Sequence, residues 1–595
     1  MPRTDLPMRP LKSTLHSVRA VLSIAAAFTV FTAHVRADAR PPAAGNGPLD
    51  ACEQGLRSPG KSEGLNRRCK GPGASGGAAK GDFNGDGFAD LAIGVPFEDQ
   101  DGVNAVGAVN VIYGSAAGLT PTGTTAPNDQ FFDETTFGFS YRAGDNFGWA
   151  LASGDFNGDD RSDLAIGMPG ADVDGINDAG HVLLIDGSDD GLDASTARIL
   201  PLLDTQRRRA GEALVWGDFN GDGAGDLAVG IPDAFATHTP SRGQCLFTAI
   251  ESAGEVQVFY GGVSGLTEFG AQLFGQNTSV CPNFAGGVAE TGDRFGAVLA
   301  AGNFNGDTLN GNPVSDLVVG VPLDFTRADL RDAGSIHLFP GSATGLRRDR
   351  VQVVNQATVG VGGASEPGDQ FGRALASGDF DADGRDDLAV GVPFEDLIDN
   401  TRADAGAVQV FFGGGSSLVD AAGDVFISQS DLSGEAVEAG DRFGFSLAVG
   451  KFDIGPFADL AIGVPGEDIS NLDNVGLVHV LHGSSSGLSL TRIQHWHQNS
   501  AGVPDSNEVG DQFGFALSAW NFGSGGASDL AIGIPFEDIV SATGRRQADA
   551  GAVIVIYGSV VGLNPTTRAA QFWHQNAPGI KDEAQSGDRF GNSLY

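Results

Sequence analysis

Positive charge is scarce in this chain. Only 36 lysines and arginines stand against 75 aspartates and glutamates, giving a formal charge of −39 over 595 residues. Such a field repels nucleic acid and anionic membranes and draws cations instead. Cysteine is scarcer still, at four, and no Cys/His metal cluster is spelled. Beyond the N-terminal region no segment reaches the ~18 uninterrupted apolar residues that a membrane-spanning helix needs. Helical periodicity is nowhere sustained. There is no Walker loop and no Ser/His/Asp context, so phosphoryl transfer and serine hydrolysis have no anchor in the sequence.

Glycine is abundant, at 90 residues, about double the usual share of ~7%. It follows no G-X-Y period and accompanies 41% hydrophobic content, so it reads as many tight turns around a core. The turns belong to a repeat. An acidic loop, Asp82 to Asp90, leads into Leu91-Ala-Ile-Gly-Val-Pro96, and six more copies open at Asp155, Asp218, Asn303, Asp379, Lys451 and Asn521. A Gly-Asp-x-Phe-Gly turn precedes most copies, as at Gly144 to Gly148 and Gly368 to Gly372. Its Phe (Phe147, Phe295, Phe371, Phe443, Phe513) stands eight residues before the loop; Ala210-Gly211 takes the place in the third unit.

Each unit offers four short strands bounded by Gly, Pro, Asn and Asp, which argues an all-β array. The first loop lacks an upstream Phe-Gly turn, whereas an orphan turn, Gly587 to Gly591, stands near the end with its Phe590 five residues before Tyr595. The expected fold is therefore a seven-bladed β-propeller of four-stranded antiparallel blades over residues 78–595. Phe590 to Tyr595 would start the inner strand of the first blade and Ala78 to Gly81 would end it, closing the ring by pairing the two terminal segments.

The loops carry the chemistry. Oxygen donors at positions 1, 3, 5 and 9, with a backbone carbonyl at 7, can wrap a hard cation such as Ca²⁺, which takes roughly six to eight oxygens. Loop 1 offers Asp82, Asn84, Asp86, the Phe88 carbonyl and Asp90; loop 2 offers Asp155, Asn157, Asp159, the Arg161 carbonyl and Asp163. Loop 3 offers Asp218, Asn220, Asp222, the Ala224 carbonyl and Asp226; loop 5 offers Asp379, Asp381, Asp383, the Arg385 carbonyl and Asp387. Loop 4 (Asn303, Asn305, Asp307) delays its last acid to Asp316 and is a weaker, fifth candidate. In loop 6, Lys451 is expected to stand in for the ion between Asp453 and Asp459, and loop 7 has lost nearly all its acids. Position 9 is Asp even in these last two, so Asp459 and Asp529 are expected to bind loop N–H groups.

Phe-Gly followed by Gly-x-Pro around an Asp-rich loop resembles the FG-GAP repeat of the integrin α-subunit N-terminal β-propeller. The resemblance implies about four Ca²⁺ sites, and recognition of protein or extracellular matrix through the face opposite the ions. It makes the chain a binding or adhesion module rather than an enzyme. The alternatives are a secreted polysaccharide- or ester-active enzyme using the channel, and a structural surface-coat component.

At the N-terminus, Arg3, Arg9, Lys12 and Arg19 precede an apolar run from Ala20 to Ala33, and Ala37 closes a small-residue cleavage site. Residues 1–37 read as a signal peptide and 38–77 as a Pro/Gly-rich arm. The expected location is secreted, periplasmic or cell-surface, with no membrane span after signal removal, and the expected partner an extracellular protein or surface ligand. In an oxidising compartment Cys52 with Cys69 and Cys245 with Cys281 are the pairings nearest in sequence, one of three connectivities four cysteines allow. The Glu-Asp pairs at Glu98, Glu395, Glu467 and Glu537 recur in several units, which suits loop architecture better than glycosidase chemistry. Likewise His495, Trp496 and His497, echoed by Trp573 and His574, read as strand packing.

Overall fold

The computed structural model describes residues 81–121, 129–202, 208–235, 250–276, 288–326, 330–397, 401–541 and 544–595, apart from 416 and 435. The expected signal and arm, and Cys52, Cys69, Cys245 and Cys281, lie outside these residues.

Seven four-stranded antiparallel sheets form the architecture, each running from an inner first strand to an outer fourth. Blade 5 is typical: Ala374–Gly378, Asp387–Val392, Ala407–Gly413 and Val419–Ile427. The Gly-x-Pro strand comes second in every blade and is buried along its whole length, from Leu91–Val95 to Asp529–Ile534. These strands read Leu-Ala-Ile/Val-Gly-Val because neighbouring blades cover both of their faces, leaving no polar side to alternate. The Phe at loop position 2 fills the seam: Phe83, Phe156, Phe219, Phe304, Phe380, Phe452 and Phe522 are all fully buried.

The repeat motif has a steric cause. A Cβ on Gly94 would lie 2.1 Å from the carbonyl oxygen of Gly148 in the next blade, and one on Gly533 would lie 2.2 Å from that of Gly591. The Gly of Gly-x-Pro is thus the seat of the next blade's Phe-Gly turn, and any side chain would separate the two blades.

Both ends of the chain build blade 1. Leu594 pairs with Ile93 and Ser593 with Gly94, and Tyr595 exchanges two 3.0 Å backbone hydrogen bonds with Ala92. Gly81 then accepts from the Asp90 N–H at 2.8 Å, the register that Gly154 holds against Asp163 in blade 2. Ala78 to Lys80, the rest of the expected N-terminal segment, lie outside the described residues. The Phe590 N–H donates to the Ala550 carbonyl at 2.9 Å, so the orphan turn docks on blade 7 as the other Phe-Gly turns dock on theirs. The expected fold and closure are both present.

Candidate metal loops and the opposite mouth

Each acidic loop connects the first and second strands of its blade, so all seven lie at one end of the ring. Their windings repeat. In loop 1, Asp82 accepts the N–H groups of Asp86 and Gly87 at 3.0 and 2.8 Å, and Asp86 accepts that of Phe88 at 2.9 Å. Asp155, Asp218 and Asp379 take the two equivalent N–H groups in loops 2, 3 and 5, at 2.9–3.1 Å. This winding draws the alternate side chains inward. In loop 5, one oxygen each from Asp379, Asp381 and Asp387 lies within 4.8 Å of the others. Asp383 instead pairs with the Arg385 guanidinium at 2.6 Å.

The donor set fits a hard cation: it is all oxygen, and its negative charge is concentrated. In loop 2 the Asn157 Oδ1 is buried without a protein partner, as a ligand oxygen would be. Loop 4 fits less well. There the Asn303 side-chain amide donates to the Asp307 carbonyl at 2.8 Å, matching the Asn521 amide on the Gly525 carbonyl in acid-poor loop 7.

Position 9 has a second function in every blade. Its Oδ2 accepts the N–H of the buried Phe at position 2, and its Oδ1 accepts that of a Gly or equivalent at the end of the third strand. The bonds to Asp90, Asp163, Asp387, Asp459 and Asp529 run from 2.8 to 3.0 Å. Asp459 and Asp529 make them as fully as the others do, as expected of structural residues. Burial raises Asp163, Asp387 and Asp529 to about 7 and Asp226 to about 8, against the lowering effect of these N–H groups.

Loop 6 corrects the expectation for Lys451. That residue is exposed, and its backbone N–H bonds the Ser528 hydroxyl at 3.1 Å. The cation facing the loop is Arg492 from the fourth strand, 2.6 Å from Asp453 Oδ2, and His482 Nδ1 sits 3.2 Å from Asp459 Oδ2. A guanidinium reaches this distance because it arrives from a neighbouring strand, which spacing within the loop could not show.

The other end of the ring carries the Phe-Gly turns. Here aromatic rings and guanidinium groups form a continuous girdle. Arg209 lies over Trp149 at 5.4 Å, and Trp149 meets Phe97 at 5.9 Å. Arg589 sits over both Phe97 and Phe536, at 4.6 and 4.8 Å. Phe536 meets Phe515 at 5.8 Å, Phe515 meets Phe445 at 5.1 Å, and Arg373 lies over Phe445 at 5.5 Å. Arg209 and Arg294 each bind Glu212 at 2.6 Å. Burial lowers the Arg373 guanidinium, and the Glu212 charge opposes that shift. Sequence reasoning missed this girdle. Its signal was the residue on either side of the Phe-Gly dipeptides, where Trp149, Arg294, Arg373, Phe445, Phe515 and Arg589 stand.

The Glu-Asp pairs are structural in the way their recurrence implied. Glu395, Glu467 and Glu537 accept the side-chain amides of Gln356, Gln429 and Gln498 from the preceding blade at 2.6 Å, and Gln575 bonds Glu98 likewise. Asp99, Asp396, Asp468 and Asp538 cap turns by accepting backbone N–H groups at 2.7–2.9 Å. Trp496 and Trp573 are buried in the blade cores.

The FG-GAP repeat family model matches residues 76–112, 147–185, 210–259 and 371–411. The chain is 34% identical over 158 residues to phosphatidylinositol-glycan-specific phospholipase D of Rattus norvegicus, covering 26% of this chain and 18% of that protein. It is 29% identical over 350 residues to integrin alpha pat-2 of Caenorhabditis briggsae, covering 54% of this chain and 26% of that protein. Against the phospholipase D of Mus musculus it is 24% identical over 433 residues, covering 62% and 50%. The chain thus spans half or less of the length of these curated relatives.

Proposed function

We propose that this integrin-α-like FG-GAP propeller is an exported, calcium-stiffened binding module that engages an extracellular protein or surface ligand. The observation that carries the reading is the girdle at the mouth opposite the acidic loops. Half-buried aromatic and arginine side chains are the composition of binding hot spots, and here they are gathered at one end of the ring.

The opposite end supports the calcium part. Asp82, Asn84, Asp86 and Asp90 and their counterparts in loops 2, 3 and 5 would hold one ion each, with the carbonyls of Phe88, Arg161, Ala224 and Arg385. An ion in each loop would offset repulsion among clustered carboxylates and stiffen the connection between the first and second strands. An enzymatic channel would need a free acid or base at the mouth. Within the girdle the acids Glu212 and Asp233 are both paired with Arg209 and Arg294, an arrangement suited to recognition.

The test is capture of extracellular proteins and surface glycans by the immobilised full chain, with and without chelator, alongside a Trp149→Ala/Phe515→Ala variant. The reading expects capture that the variant abolishes while its melting temperature stays near wild type. Capture that survives loss of both aromatic rings would contradict it.

A further inference from the structure

Another acidic cluster lies away from the seven loops, at the junction of blades 3 and 4. Glu290 and Asp293 belong to the segment around the Gly292-to-Gly296 turn, and Asp324 follows the second strand of blade 4, Asp316–Val321. One oxygen from each lies within 4.8 Å of the others. That span is about twice a Ca²⁺–oxygen distance of ~2.4 Å, so one ion can reach all three.

Gln276 supplies an independent observation. It is 2% exposed, and its amide nitrogen donates to Asp324 Oδ1 at 3.2 Å, which places the amide against the cluster. Its Oε1 is buried and has no protein partner. Asp293 is fully buried, and its Oδ1 and the Glu290 Oε2 are likewise unpartnered. Among the described residues the donors that reach the acids are neutral: the Glu290 N–H on Asp293 at 2.6 Å, and the Ser335 hydroxyl at 2.5 Å, Gln276 and the Phe325 N–H on Asp324. Arg294 beside Asp293 turns away to Glu212 and Asp233. Among the described residues no basic side chain pairs with these three carboxylates, which makes them costly to bury.

The sister junctions handle the same positions differently. Gln585 replaces the first acid in blade 1 and donates to Glu98 at 3.3 Å. Glu508 in blade 7 pairs with Arg546 at 2.9 Å. In blade 5 the set recurs as Glu366, Asp369 and Glu395, but these three are not among the convergent groups of the described residues. Blade 4 alone of these has the shorter Asp324 where its sisters carry Glu, with a serine, Ser335, to orient it. The buried Gln oxygen itself recurs, on Gln356, Gln429, Gln498 and Gln575; its meeting with three convergent acids sets blade 4 apart.

We propose that Glu290, Asp293 and Asp324, with the Gln276 side-chain oxygen, form a divalent-cation site separate from the acidic loops. Its ligands are all oxygen, so it would take Ca²⁺, Mg²⁺ or Mn²⁺ rather than Zn²⁺, with water filling the remaining positions. The site ties blade 3 to blade 4 on the face that carries the girdle.

The test soaks crystals of the full chain in Mn²⁺ and maps anomalous scattering, for wild type, Asp324→Asn and the partly exposed Glu290→Gln. The expected result is a wild-type peak between Asp293 and Asp324 that both variants lose, while peaks in the acidic loops persist. Equilibrium dialysis with Ca²⁺ alone should show one ion fewer per chain in each variant. Peaks in the loops with none at Asp293 in wild type would overturn this site and leave the loop reading intact. Unchanged ion counts in both variants would also overturn it.

Discussion

The Ala89 N–H donates to the Asn521 carbonyl oxygen at 2.9 Å, joining the first acidic loop to the last. It is one of seven such bonds. Ser162 donates to Asp82, Gly225 to Asp155, Ser315 to Asp218, Asp386 to Asn303, Ala458 to Asp379 and Ser528 to Lys451, at 2.6–3.0 Å. In every loop the residue before the last Asp reaches the first carbonyl of the preceding loop. The loops therefore form one hydrogen-bonded circle, and a change in the winding of one is felt by both neighbours.

A chain ending at Gly591 would leave the second strand of blade 1 without its inner partner, exposing Ile93 and the edges of blades 1 and 2. It should lose cooperative unfolding and melt well below the full chain, because a propeller's blades are stable only when both faces are covered. Calorimetry reads this directly. An unchanged melting temperature would mean that the C-terminal segment does not close the ring.

Calcium should raise the melting temperature. For dissociation constants of about 10⁻⁴–10⁻³ M, usual for extracellular modules, calcium at about 100 times that value contributes roughly 2.7 kcal/mol per site. Asp381→Asn should remove the share of loop 5 and leave the other loops' shares in place. A melting temperature indifferent to calcium and to chelator would count against ions in the loops.

Loop 6 behaves differently. Replacing Arg492 with Met leaves buried Asp453 facing His482 and Asp459 without the guanidinium. Arg492 is half-exposed, so its ion pair is screened and contributes on the order of 1 kcal/mol. The variant should melt slightly lower in chelator and gain more from added calcium than wild type does. Identical responses would show that Arg492 does not stand in for a cation.

How much of this was legible in the sequence varies with the range of the interaction. The strand order, loop register and ring closure were readable because they repeat: Asp90 and its six counterparts mark the same place in every unit, and Phe590 completes an otherwise broken series. The dual hold of Asp459 on two N–H groups followed from position 9 staying Asp even in loops 6 and 7, where the rest of the donor set is broken. Arg492 was not readable, since it lies 39 residues from Asp453 and its blade-2 counterpart by register is Thr196, whose hydroxyl accepts the Asp186 N–H. The girdle was hidden for a related reason. Arg589 meets Phe97 and Phe536 only once the ends of the chain are brought together.

Stability in chelator should fall as pH rises. Burial raises Asp369 to about 8 and Glu395 to about 7, with neighbouring acids adding to the shift. Groups raised above their unfolded values of roughly 4 favour the folded state when protonated. That contribution is complete below pH ~4 and is lost as pH climbs through about 7–8. Chelated protein should therefore melt several degrees higher at pH 5 than at pH 8.5, and Glu395→Gln should flatten the difference. A melting temperature that rises with pH over this interval would reverse the assignment.

The most direct test of the central claim, a ring that grips divalent ions at its looped end, is anomalous diffraction from crystals grown in calcium. Ions are predicted in loops 1, 2, 3 and 5, beside Asp82, Asp155, Asp218 and Asp379, with loops 6 and 7 bare beside Asp453 and Asn521. Four bare acid-rich loops, or an ion lodged in loop 7, would contradict it.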